Sequence, residues 1–393
     1  MAGPGRLAAE VYAELDDRLA PVDAELRRRY PGDAAGRQPV HTVYVPADRY
    51  DADLVDRWRA AALAALRANP PLPYPAELHD RVLAKLRAEP VEDLRIDFED
   101  GYGRRGDAEE DTAVRAAARA LRTGERPPFW GLRIKSLEPA TRHRAVRTLD
   151  LLLAELPADL RADVLVTLPK VSVPEQVAAM AVLCDRLERS YALPAGRLRF
   201  EVQVETPPAV FGGDGTATPA RLIAAAGGRC AGLHYGTYDY SAACGIAAGQ
   251  QSLAHPVADF AKAVMQVTAA GTGVRVCDGS TNLLPVGEPA AVHAAWAQHA
   301  SLVRRSLERG FYQGWDLHPA QLPTRFAATY AFFRDGSRAA TDRLRAYLDR
   351  RETGVLDEPA TARALAGFLL RGLDCGALDE SETGFSRADL AAL

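Results

Sequence analysis

Apolar and polar positions along this chain fall into two recurring textures. The first is a set of short, nearly continuous apolar runs: VHTVYVPA (40–47), LRIDFED (94–100), FWGLRIKS (129–136), DVLVTLPK (163–170), LRFEVQVET (198–206), AGLHYGT (231–237), VRVCDG (274–279) and GWDLHP (314–319). Runs of this length that do not alternate strictly with polar residues predict strands buried on both faces. The second texture is helical spacing, over 51–68, 75–88, 108–122, 139–155, 174–189, 219–226, 255–270, 288–309 and 323–333. An Asp opens the first of these, and Thr218 reads as a cap with Pro219 at the first helical position. Helix follows every strand, and eight such units predict an α/β fold of the (β/α)8 TIM-barrel type. A doubly wound sheet competes, but no glycine fingerprint follows a strand.

The barrel is expected over 39–335. Residues 1–38 form an N-terminal extension whose 6–30 segment reads as a charged amphipathic helix. Residues 336–393 form a helical C-terminal extension able to close over the barrel mouth or to reach a neighbouring subunit.

Composition narrows the function. A chain of 393 residues with 48% hydrophobic and 25% charged residues is that of an ordinary globular protein. A net charge of −4 without a clustered basic face argues against nucleic acid as a partner. The N-terminus lacks the apolar core of a signal peptide, and no stretch approaches the ~18 apolar residues of a membrane span. Five scattered cysteines without a CxxC pair suggest reduced thiols, hence a cytoplasmic location, and neither a zinc knuckle nor a disulfide framework.

The strand ends change the picture. In a barrel the C-terminal ends of the strands carry the chemistry. Here they offer Asp97, Glu99 and Asp100; Arg133 and Lys135; Lys170; Glu205; Asp239; Asp278; and Asp316 with His318. Unpaired buried charge is costly, so a scaffold built only for stability has no need of it at so many ends. Each residue also has a plain structural reading. Glu205 can pair with Lys170, Asp239 can cap the next helical turn, Arg133 can bridge Glu99 or Asp100, and His318 can be a hydrogen-bonded structural histidine. Glu205 and Asp239, one βα unit apart, would sit side by side and hold Mg²⁺ or Mn²⁺ with positions left for water and a chelating substrate. Such a cation polarises a 2-oxo acid carbonyl, while Arg133 neutralises an oxyanion or grips a carboxylate. The backbone amides of Gly212-Gly213-Asp214-Gly215 are a weaker candidate for anion binding.

These residues also resemble a known group: the citrate lyase β-subunit-like and HpcH/HpaI aldolase superfamily, with malate synthase as a relative. The likeness covers most of 40–325. LRIDFEDG resembles the strand-two motif, GLRIKS the segment with the substrate-binding arginine, and LVTLPKVSVPEQV the strand-four segment. VQVETPPAVF and GLHYGTYDYSA resemble the segments that carry the two metal ligands, and GWDLHPAQL resembles the final-strand IHPxQ motif. The resemblance therefore implies Glu205 and Asp239 as metal ligands and Arg133, Gly236 and Thr237 as substrate-binding. Arg133, Glu99, Asp100 and Lys170 are implied as catalytic, with Glu99 and Asp100 orienting water or the metal shell. Tyr238 stands where citrate lyase β-type chains usually have a glutamate; malate synthase has an aromatic there. Val171-Ser172 stands where relatives often carry an acid nearby. A C-terminal aspartate can complete the site in this branch, and Asp374 and Asp379 are the candidates for a general base.

The leading function is thus a Mg²⁺-dependent carbon–carbon lyase or aldolase acting on a hydroxy acid, or its CoA thioester, through an enolate. The expected partners are small oxo or hydroxy acids, with CoA optional, and further copies of the chain in a homo-oligomer. A malate synthase-like condensation of acyl-CoA with glyoxylate, or thioester hydrolysis, stays open. So do a Schiff-base aldolase using Lys170, which needs a depressed lysine pKa, and a non-catalytic barrel used for binding.

Overall fold

A computed structural model of the chain describes residues 7–350 and 358–393. Eight parallel strands run β1 His41–Pro46, β2 Asp93–Asp97, β3 Phe129–Arg133, β4 Leu165–Leu168, β5 Arg199–Val204, β6 Cys230–Tyr235, β7 Arg275–Cys277 and β8 Gly314–Asp316. Neighbours in sequence are neighbours in the sheet, and β8 returns to pair with β1. The last seam, between β7 and β8, is closed by two backbone bonds: Asp278 N–H to Gln313 O (2.8 Å) and Trp315 N–H to Gly279 O (3.1 Å). The fold is the TIM barrel.

The main helices are α1 Ala9–Arg29, α2 Leu54–Ala68, α3 His79–Ala88, α4 Asp107–Thr123, α5 Arg142–Glu155, α6 Pro174–Ser190, α7 Thr218–Ala225, α8 Thr237–Ala243, α9 Pro256–Ala269, α10 Pro289–Glu308, α11 Leu322–Leu348 and α12 Pro359–Asp374. The main core lies between strands and helices, where Val43, Leu94, Ile96, Leu132, Val166, Val202, Val204 and Leu233 are all but fully buried. Such side chains each contribute roughly 1.5–3 kcal/mol on burial.

The inside of the barrel is different. Barrel interiors are usually filled by branched aliphatic side chains. Here Tyr44, Cys277 and Trp315 form a small separate apolar cluster, and charge fills much of the remainder. Arg95 on β2 is fully buried; it donates to both oxygens of Glu201 on β5 (2.6 and 3.1 Å), to Thr167 on β4 (3.2 Å) and to Asp93. His234 on β6 lies 3.1 Å from Glu201 and accepts from the Trp315 indole (3.2 Å). Period-2 alternation accounts for this, because Asp93, Arg95 and Asp97 share one face of β2 and Glu201, Gln203 and Glu205 one face of β5.

Several expectations need correction. Asp278 and Asp316 leave the strand ends outward, into the helix layer: Asp278 bonds Lys262 of α9 (3.0 Å) and Ser306 of α10 (2.5 Å). Asp316 is held by His41, His299 and Arg325. Thr218 is the first residue of α7 and its hydroxyl makes no capping bond; Ala217 occupies the cap position. Helix α11 runs unbroken through the 335/336 boundary, continuing for 15 residues beyond 333 to Leu348. The C-terminal extension then folds back on α11, with Phe368 packed against Phe332 and Phe333 and the Tyr330 hydroxyl donating to Cys375 O (3.2 Å). Arg371 lies over the Tyr312 ring, just before β8, and 4.0 Å from Asp33. The extension therefore sits towards the N-terminal ends of the strands, the opposite end from the mouth of its own barrel.

Candidate active site

The mouth is assembled from the bottom of its loops upward. Asp97 ends β2 directly opposite Arg133 of β3 in the parallel register, so the two meet as a fork: Nε to Oδ1 at 2.7 Å and Nη2 to Oδ2 at 2.6 Å. The same carboxylate accepts from the backbone N–H of Glu99 (2.9 Å) and of Gly101 (2.8 Å), which folds the Phe98–Gly101 turn. A Cβ at Gly101 would lie 2.6 Å from Asp97 Oδ2, so the turn needs glycine there. Lys135 is buried beneath that turn and donates to Phe98 O (2.6 Å) and Gly103 O (3.3 Å) while pairing with Glu110 (2.9 Å). It supports the loop and does not face the mouth.

Glu205 follows β5 and is 1% exposed. Its carboxylate accepts from the Lys170 backbone N–H (2.6 Å) and from the Gln203 amide (2.6 Å). Gly236 N–H donates to Val204 O, bringing the start of α8 directly against Glu205, and a Cβ at Gly236 would lie 2.7 Å from Glu205 Oε2. Thr237 is buried, with its hydroxyl turned to Ser280 O (3.3 Å). Asp239, on the first turn of α8, is half-exposed and points to Lys170.

Lys170 is the centre of the arrangement. Its backbone is left-handed, with φ +53°, an uncommon conformation for a side-chain-bearing residue. The bond from its N–H to Glu205 helps hold that conformation. Its Nζ lies 2.7 Å from Asp239, 2.9 Å from Asp100, 3.7 Å from Glu99 and 3.8 Å from Glu205. Four carboxylates thus converge on one ammonium, with Glu99 shared between it and Arg133, whose main partner is Asp97. Burial is the largest influence on Glu205 and, with Asp239 and Glu99 nearby, lifts its pKa to about 8 despite Lys170. Burial likewise lifts Glu99 to about 7 against the pull of Arg133. For Asp100 burial works upward too, but the Lys170 ion pair outweighs it and holds the acid below its ordinary value. Burial works to lower the Lys170 pKa, yet Glu205 and Glu99 hold it above the usual lysine range.

Glu99, Asp100, Lys170, Glu205 and Asp239 are therefore brought together, with Arg133 alongside: its Nη1 is 3.3 Å from Glu99 and 3.5 Å from Gln203, and its guanidinium stacks 4.9 Å from the Tyr44 ring centroid. Asp97 is a strand-end residue that turns out to fix Arg133, whereas Gln203 and Tyr44 lie within their strands, where strand ends do not point; the alternation along β5 is the signal that finds Gln203. His318 stands apart, its Nδ1 accepting from Ala320 N–H (3.2 Å). In the glycine turn, the Gly212 and Gly215 amides bond within the turn. Asp374 pairs with Arg387 within the C-terminal extension (3.3 Å) and Asp379 with Arg81 of α3 (3.0 Å), away from this mouth.

Among the described residues, no set of three or more His, Cys, Asp and Glu side chains is arranged as a ready-made metal cage. Mg²⁺ does not require one, because it keeps several waters and binds through one or two carboxylates. The donor set fits: oxygen-only and hard, with more negative charge than one ammonium offsets.

The chain belongs to the family described as Domain of unknown function (DUF6986), which matches residues 19–393. No curated protein matches it. Among solved structures it is similar to a citrate lyase from Burkholderia xenovorans LB400, at 19% identity and TM-score 0.59 over 90% of this chain and 96% of that one. It is also similar to CitE from Mycobacterium tuberculosis in complex with magnesium, acetoacetate and coenzyme A, at 21% identity and TM-score 0.53 over 87% and 99%. Haloferax volcanii malate synthase aligns at 13% identity and TM-score 0.56 over 89% and 95%. At these identities the likeness is one of fold.

Proposed function

We propose that this member of the DUF6986 family is a Mg²⁺-dependent carbon–carbon lyase of the citrate lyase β-like, HpcH/HpaI type, cleaving a hydroxy acid or its CoA thioester. The observation that carries the reading is the convergence of Glu99, Asp100, Glu205 and Asp239 on one cationic centre at the C-terminal mouth of the barrel. Glu205 and Asp239 would hold the divalent cation, with Lys170 Nζ moving aside. When bound, that cation supplies Lewis-acid polarisation of a substrate carbonyl.

The chain's own residues supply the remainder. Arg133, fixed by Asp97 and stacked on Tyr44, offers its Nη1 edge to a substrate carboxylate or oxyanion. Glu99, with a pKa near 7, is matched to carry a proton at neutral pH. Lys170, once displaced, is a positive charge free to meet the acid group of the substrate. Gly236 permits the close approach of α8 to Glu205 that puts Asp239 within reach.

A Schiff-base role for Lys170 is disfavoured, because an amine nucleophile needs a lowered pKa and the surrounding acids raise this one. Condensation of an acyl-CoA with glyoxylate would use the same residues in reverse and shares the proposed site.

The test is a screen of oxo and hydroxy acids with Mg²⁺ or Mn²⁺, with and without acetyl-CoA, read by mass spectrometry. Turnover should disappear with EDTA and in Asp239→Ala, with the fold retained because Asp239 lies outside the core. A variant that keeps wild-type kcat at saturating Mg²⁺ would remove Asp239 from the metal site.

A further inference from the structure

Helix α1 is 21 residues long and none of its residues is buried. Yet Tyr12, Leu15, Leu19, Val22 and Leu26 recur at alternating spacings of three and four, the a/d repeat of a coiled-coil seam. Each of the five is 48–58% exposed. Just past its C-terminal end the chain meets the barrel, where Tyr30 packs on Gly271 and Gly32 N–H donates to Gly271 O (3.0 Å). A helix of this length is marginal in water without packing of its apolar face, so the stripe calls for a partner that the barrel does not provide.

The charges say which partner. Residues 10–17 carry Glu10, Glu14, Asp16 and Asp17 and no base, a net −4. Residues 18–29 carry Arg18, Arg27, Arg28 and Arg29 against Asp23 and Glu25, a net +2. Two copies side by side in parallel would set the acidic halves against each other. In antiparallel order each acidic half meets a basic half, and Arg18 of one copy comes opposite Glu25 of the other at the seam-flanking positions. A two-fold axis through the middle of the helix satisfies both copies at once, as a closed homodimer requires. Pro21 lies inside the helix and removes one of its i→i−4 bonds, but it occupies an outward position of the repeat and leaves the apolar stripe uninterrupted.

We propose that α1 is a self-association helix, pairing antiparallel with α1 of a second copy of this chain through the Tyr12–Leu15–Leu19–Val22–Leu26 stripe. The pairing stands apart from the chemistry at the barrel mouth and does not depend on it.

Sedimentation velocity on the full chain at micromolar concentration tests it. The wild type is expected at twice the mass of Leu15→Glu/Leu19→Glu, and Arg27→Glu/Arg28→Glu/Arg29→Glu should weaken association at least tenfold. Arg27 and Arg28 lie off the seam and Arg29 lies beyond its last apolar position, so the charge triple keeps the test open if the double variant misfolds. Orientation is read by mild oxidation. Arg18→Cys mixed with Glu25→Cys should give a mixed disulfide in excess of either self-linked product. Equal masses for the wild type and both variants, or an Arg18→Cys chain that links mainly to itself, would overturn the proposal.

Discussion

Glu205→Gln is the most informative single perturbation, because it removes one titration and little else. The amide oxygen can still accept from the Lys170 backbone N–H, and rotation of the Gln203 amide restores the second bond while giving up the long (3.5 Å) contact from Arg133 Nη1. In the metal-free protein, Glu205 is lifted from an ordinary 4.5 to about 8, chiefly by burial. A raised carboxyl pKa means that the folded state favours the neutral acid. The stabilising effect is complete below pH 4.5 and is lost as pH rises through about 8. At about 1.4 kcal/mol per pH unit, the loss is at most roughly 5 kcal/mol. Unfolding entropy of about 2 cal/mol/K per residue puts that at ~6 °C in Tm for a chain of this size. In EDTA, wild type and variant should melt together near pH 5. By pH 9 the variant should melt several degrees higher. Glu99 titrates in both proteins and largely cancels in the comparison. Saturating Mg²⁺ should close the gap by holding the ionised form in the wild type, since metal ligands bind deprotonated. Differential scanning calorimetry across pH 5–9 measures this. A wild-type-to-variant difference that stays constant with pH would refute the account of Glu205 as a buried acid awaiting a cation.

Two further outcomes are expected. Gly236→Ala drives a methyl group into Glu205 and should weaken Mn²⁺ binding at least tenfold by calorimetric titration with little change in secondary structure; unchanged affinity would mean that Glu205 is not a ligand. Arg133→Lys keeps the charge but loses the fork to Asp97, so most turnover should go along with about 2 kcal/mol of stability, measured by urea titration. Normal kinetics with the same stability loss would leave Arg133 a purely structural residue.

Much of the fold is legible in the chain because its cause is local. Strands buried on both faces must be apolar in short runs, and helices that cover them must be apolar at helical spacing. Eight repeats of that pair leave few architectures. Candidate chemistry is partly legible for the same reason, since acids and bases stand where apolar runs stop. Reading only the stopping points has a cost, however. Asp278 and Asp316 look equivalent to Glu205 in sequence but turn outward to Lys262 and Arg325. Lys135 looks equivalent to Lys170 but props the loop below the mouth. The alternating acids of β2 and β5 carry a polar interior in plain view, yet they name no partners.

What the sequence determined by itself is therefore the barrel, the order of its strands and the set of ionisable residues able to reach its mouth. Tertiary structure alone decided which of them face one another. It turned the Lys170 backbone left-handed so that one ammonium reaches four acids, and it matched Arg133 to Asp97 across the β2–β3 register. It also laid the C-terminal extension at the far end of the barrel. The reason is physical: hydrophobic burial acts on patterns that a chain displays along its length. Charge pairing depends on distances of a few ångströms between residues far apart in sequence, and only the closed barrel sets those distances.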